Sequence, residues 1–146
     1  VTGWLNGRTE ARFPKPAQRS RKPKRVIRRK AKRKAKLHDA DKLFSQYIRT
    51  RDAWECRRCR SPFTPQCAHI VSRRYRSTRF SPDNAVTLCH KCHLHMTWRP
   101  LEWEVWVEEM FPGRLGILKA RALAGVAKVD YDEVCESLKA ALGVKT

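Results

Sequence analysis

The stretch TLCHKCHLHMTW, Thr87–Trp98, places two cysteines and three histidines within the seven residues from Cys89 to His95. Thiolate and imidazole are the side chains that zinc-like cations prefer, so the number of metal ions served by this segment decides how the chain is built. A second pair, Cys56-x-x-Cys59, lies upstream in CRRCRSPFTPQC. Together with Cys89-x-x-Cys92 it makes a four-thiolate set, a closed tetrahedral shell in which zinc plays a structural part. Arg57, Arg58 and Arg60 stand beside the first pair, where they offset the excess negative charge that four thiolates leave around one dication. Metal-site spacing of this kind argues against a secreted disulfide framework.

Working outward, the 29 residues between Cys59 and Cys89 exceed what a simple zinc ribbon needs, so the zinc ties together the ends of an insert. Its pattern predicts a short strand near Cys67–Val71, a polar loop SRRYRSTRFSPDN closing on a turn-forming Ser-Pro-Asp-Asn, and a second strand at Ala85–Leu88. A helix follows from the second cysteine pair. Upstream, Leu43, Phe44, Tyr47 and Ile48 fall on one face of a helix running from Asp39 to about Arg51. Downstream, Pro100 opens a helix whose expected buried stripe is Leu101, Val105, Trp106 and Met110, stopped by Pro112-Gly113. Residues 114–127 look helical. A last helix carries Tyr131, Val134, Cys135, Leu138 and Leu142 on its apolar face, with Asp130 as N-cap. Trp98, Trp103 and Trp106 read as core or interface packing.

Charge is graded along the chain. Residues 1–36 hold fifteen Lys and Arg against one acid, residues 37–100 twelve against five, and residues 101–146 six against eight. The division that follows is a basic flexible DNA-binding arm, 1–36, partly helical from about Val26 on contact with DNA, and a folded domain, 37–146, whose part 100–146 is helical. A periodic polyanion suits such a gradient, because each neutralised phosphate releases a counterion. Arg73, Arg74, Arg76 and Arg79, with Tyr75 among them, form a phosphate-gripping loop in which Tyr75 stacks on an unpaired base. The basic run lacks aromatic residues for a membrane interface, and its hydropathy predicts a soluble intracellular protein.

A zinc knuckle, a hairpin bearing His69, a loop ending in Asn84 and a helix beginning CHKCH is an order similar to that of the ββα-metal nucleases, the HNH or His-Me finger endonucleases, in their treble-clef form. More narrowly, YIRTRDAWECRRC, AHIVSRRYRSTRFSPDN, LCHKCH and DYDEVCESLKAAL resemble the phage Rap (NinG) recombination endonucleases over roughly Asp39 to Leu142. The resemblance implies a small α+β fold: a zinc-bound treble-clef finger with flanking helices and a helical C-terminus. It also implies a metal-dependent endonuclease acting on branched DNA such as Holliday junctions and D-loops, in the cytoplasm of a bacterial host.

Residue by residue, the resemblance makes His69 the general base, His93 the ligand of a catalytic Mg²⁺ or Mn²⁺ ion, and Asn84 the side chain that pins the loop and orients the base. Cys56, Cys59, Cys89 and Cys92 then hold zinc, and the opening segment serves two metals. His90, about 60° from His93 on a helix, takes a DNA-backbone or solvent role, and so does His95, at about 200°. One position departs from the family pattern: Ala68 precedes the base where many members have an Asp or His ligand, leaving Asp83 and Cys67 as unranked substitutes. Two further readings stand beside this one: a zinc-stabilised DNA-binding module without catalysis, and an HNH endonuclease that nicks linear duplex. Symmetric cutting of a junction would call for a homodimer.

Overall fold

A computed structural model describes residues 24–125 and 128–144, and the arm at 1–23 lies outside them. Within these residues the order is α1 (Lys24–Arg51), β1 (Pro65–His69), a 3-10 turn (Pro82–Asn84), β2 (Ala85–Cys89), α2 (His90–Trp98), α3 (Pro100–Met110), α4 (Arg114–Ala124) and α5 (Tyr131–Ala141). The fold is a small α+β domain of five α-helices and a two-stranded antiparallel sheet, in which Pro65 faces Cys89, Cys67 faces Thr87 and His69 faces Ala85.

Helix α1 begins fifteen residues before the expected Asp39, so no break separates residues 24–36 from the folded part. Lys, Arg and Ala are strong helix formers and Pro23, the last breaker, lies just outside. Residues 25–35 are all exposed; burial starts beyond them and repeats at Ala40, Phe44 and Ile48, one residue per turn of a single stripe. The helix ends without glycine. Ala53 and Trp54 both take left-handed backbone, at φ 54° and 60°, a conformation that costs L-residues about 1 kcal/mol or more each.

An ionic latch fastens this end to the sheet. Arg51 clasps Asp52 through Nε and Nη2 at 2.9 and 3.0 Å and donates onward to the carbonyls of Pro82 and Ala85. The buried Asp52 carboxylate accepts from the Thr87 backbone N–H at 2.8 Å. Burial alone would raise its pKa, but Arg51 and the Thr87 N–H outweigh it and hold the carboxyl below its ordinary value. Strand β2 is buried along all five residues and divides two cores. Val86 and Leu88 join the knuckle, α2, α3 and α4 in one, while Ala85 joins Phe44, Ile48 and Leu138 in the other.

The C-terminal helices follow the expected limits more closely than the expected faces. In α5, Asp130 caps the helix by accepting from the Asp132 N–H at 2.9 Å, and Tyr131 and Leu138 are buried. Helix α4 stops at Ala124, and residues 126–127 of the segment expected to be helical lie outside the described residues. In α3 the anticipated stripe is turned: Leu101 is 81% exposed and Val105 58%, while Val107 is fully buried and Trp103 stacks on Trp106 at 5.4 Å. Two stacked indoles bury more apolar area than Leu101 and Val105 offer, so they set the face. Trp98 is not core either, at 77% exposed.

Candidate functional site

The four cysteines of the two pairs converge, with every sulfur within 4.8 Å of the others. Cys59 Sγ and Cys89 Sγ are 3.6 Å apart, close to the roughly 3.8 Å edge of a tetrahedron whose zinc–sulfur bonds are about 2.3 Å. None of the six cysteines is in a disulfide. The knuckle is shaped by backbone bonds from Arg60 N to the Cys56 carbonyl (2.8 Å) and from Cys56 N to the Ser61 carbonyl (3.0 Å), with Arg60 itself left-handed. Burial opposes ionisation of Cys56, yet backbone N–H groups aimed at its sulfur bring that thiol down to about 7. Burial and the neighbouring thiols push Cys92 up to about 12. Four sulfurs gathered this closely are a donor set that one dication would satisfy, and zinc fits it.

Cys89 is also the N-cap of α2, so the thiolate cluster fixes where that helix starts and where His93 points. Across the hairpin, His69 closes β1. Both imidazoles line the same cleft, of about 530 Å³, beside Asp41, Ser45, Cys67, Arg73 and Thr97. His69 Nε2 lies 3.0 Å from the carbonyl oxygen of Arg79. A carbonyl only accepts, so Nε2 carries the proton and the Nδ1 lone pair is free. Its ring packs 5.6 Å from Phe44. Burial keeps this imidazole below the ordinary histidine value near 6.5, against the opposing pull of the Arg79 carbonyl.

His93 is fixed from its other nitrogen. Its Nδ1 lies 2.7 Å from Gln66 Oε1, while Gln66 Nε2 faces His90 Nδ1 at 3.3 Å. With the amide so oriented, His93 donates from Nδ1 and keeps Nε2 free as a ligand. Burial, and then His90, hold the His93 pKa below 6.5 as well. His90 is exposed and borders the site through this amide, whereas His95 pairs with Glu102 at 2.9 Å.

Asn84 is completely buried. Its Oδ1 accepts from Val71 N at 2.7 Å, and Nδ2 donates to the carbonyls of Val71 (2.9 Å) and Thr78 (3.0 Å), so one side chain holds both ends of the Arg-rich loop. In that loop Arg73, Arg74, Tyr75 and Arg76 are exposed. Arg79 is not available to phosphate. Its Nε and Nη2 clasp Asp41 at 2.9 and 2.5 Å and its Nη1 donates to the Arg73 carbonyl, leaving the side chain 15% exposed. The expected phosphate contact is instead a strut that holds the carbonyl against which His69 is set.

Of the two substitutes for a ligand at Ala68, Asp83 is exposed on the 3-10 turn and is not among the cleft's lining residues. Cys67 lines the cleft, and burial pushes its thiol up to about 11. Ala68 itself is buried on the sheet. Gln66, Asp41 and the Arg51–Asp52 latch are the site residues that sequence reasoning missed. Their partners lie 24 to 38 positions away, so no local pattern announces them.

No family model, curated protein or solved structure matches this chain. Among the described residues no helix is long and apolar enough to cross a membrane.

Proposed function

We propose that this protein is a metal-dependent DNA endonuclease that hydrolyses phosphodiester bonds in branched DNA. One observation carries the reading: two imidazoles from different elements line one cleft, each held by a bond to one ring nitrogen that leaves the other free. His69 Nδ1 takes the proton of the attacking water as the new phosphorus–oxygen bond forms. The phosphorus–O3′ bond breaks and the departing oxygen takes a proton from solvent water, leaving 5′-phosphate and 3′-hydroxyl ends. A divalent ion such as Mg²⁺ or Mn²⁺ would be held by His93 Nε2 and would supply charge neutralisation to the phosphodiester. Asp41, the acid that lines the cleft, is committed to Arg79, which leaves His93 as the protein group that would hold the ion. Asn84 keeps the loop, and with it the Arg79 carbonyl, in the place that sets the His69 tautomer.

The net charge of +19, the exposed arginines of the loop and the long basic face of α1 favour DNA as the substrate. Ala68 and the engaged Asp41 favour a second reading, a zinc-stabilised DNA-binding module without catalysis. A third is an endonuclease that nicks linear duplex. Incubating wild type and His69→Ala with four-way, flap and linear DNA, with and without Mg²⁺ or Mn²⁺, separates them. The proposal expects cation-dependent cutting of branched substrates that the variant loses. Binding without cutting supports the second reading, and equal cutting of linear duplex the third.

A further inference from the structure

A second groove, of about 500 Å³, runs along α1 next to the histidine cleft and shares Asp41, Ser45 and Arg73 with it. Its floor is a polar and cationic stripe in which His38, Lys42 and Gln46 recur every four residues, one helical turn after another. At its far end stands Trp54, 43% exposed, with the Arg49 guanidinium 4.6 Å from its ring centroid. Trp54 is held in left-handed backbone at φ 60° by a 2.7 Å bond from its N–H to the Arg49 carbonyl. That conformation disfavours a bulky side chain, yet it leaves a large part of the indole open to solvent. Persistent strain that places an aromatic ring at the mouth of a groove is a mark of a binding surface.

We propose that Trp54 is a stacking platform for an unpaired base of the DNA substrate, and that the α1 groove carries that strand into the histidine cleft. The inference rests on the endonuclease reading and names what selects the substrate. A base has a π-face whatever its sequence, so an indole backed by a guanidinium binds unpaired nucleotides without reading them. A continuous duplex offers no free face, whereas a fork, flap or junction does. Lys42 and Arg73 supply the backbone charge along the path.

The test uses the full chain with zinc bound, in a His69→Ala background so that binding is read without cleavage. Fluorescence anisotropy compares a splayed fork with a linear duplex of the same sequence for Trp54, W54A, W54F and W54L. The expected result is a loss of about tenfold in fork affinity for W54A and W54L, less than twofold on linear duplex, and near-complete recovery with W54F. Zinc content and the circular dichroism spectrum report folding; should W54A fail to fold, the comparison of W54F with W54L, equal in apolar character but not in π-face, decides the matter. Equal losses on both DNAs, no loss on either, or failure of Phe to rescue would overturn the platform. Cleavage by the protein with His69 intact is scored separately: absent cleavage with the fork effect intact removes the nuclease reading alone.

Discussion

The two sides of β2 are built on different principles. On one side, the knuckle, α2, α3 and α4 gather around four sulfurs, and the apolar core beside them includes three cysteines. On the other, α1 and α5 meet through Phe44, Ile48, Ala85 and Leu138, with no cluster of metal donors among the described residues. The cleft lies at the seam: His93 stands on the thiolate-anchored helix and His69 packs on Phe44. The stability of a small domain of this kind would be divided between a metal at the four sulfurs and a short list of side chains, and the proposed cleavage would need both sides at once.

The largest effect separates the sides outright. Structural zinc contributes about 10–16 kcal/mol of apparent binding free energy, as much as a whole domain's stability. Chelation, or Cys89→Ala, is therefore expected to abolish cooperative unfolding and the near-ultraviolet signal of Trp103 and Trp106, measured by circular dichroism. An unchanged melting curve after metal removal would show that the sulfurs are ordinary core. Phe44→Ala strikes the other side and is expected to cost about 3–5 kcal/mol in urea denaturation while one zinc per chain remains bound. Loss of zinc in that variant would mean that the two sides are one unit.

Asn84→Ala acts on the seam. It strands the Val71 N–H and two buried carbonyls, at an expected cost of about 3 kcal/mol, and it frees the loop that carries the Arg79 carbonyl. Cleavage should fall further than the stability loss explains, and parallel declines would reduce Asn84 to a folding residue. The smallest effect is of pH. Both cleft imidazoles lie below 6.5 in the folded protein, so the unfolded chain binds more protons as pH falls through that value and stability declines there. The proposed cleavage, for which both rings would have to be neutral, should keep its plateau through 6.5 and fall only at lower pH, as read from a pH–rate profile.

How much of the molecule is legible in its sequence follows the range of the interactions. The cysteine pairs, the two strands and the Asp130 cap are local patterns, and β2 and α5 each appear within a residue or two of their expected place. Helix α3 is legible as a helix but not as a face, because the choice between Leu101 and Trp103 depends on an indole stack that periodicity does not weigh. Arg79 looks like its loop neighbours and differs from them through Asp41, 38 residues earlier. For His69 and His93 the sequence offers only a likeness; the ring partners that orient them, Arg79 O and Gln66 Oε1, come from the fold.

Single-turnover cleavage of a labelled four-way junction, run in parallel on His69→Ala and His93→Ala, tests the convergence of the two rings most directly. The geometry calls for a loss of about a hundredfold or more in both variants, with one zinc per chain and the wild-type melting temperature retained. Cleavage that survives either substitution, or that disappears only together with the zinc, would contradict it.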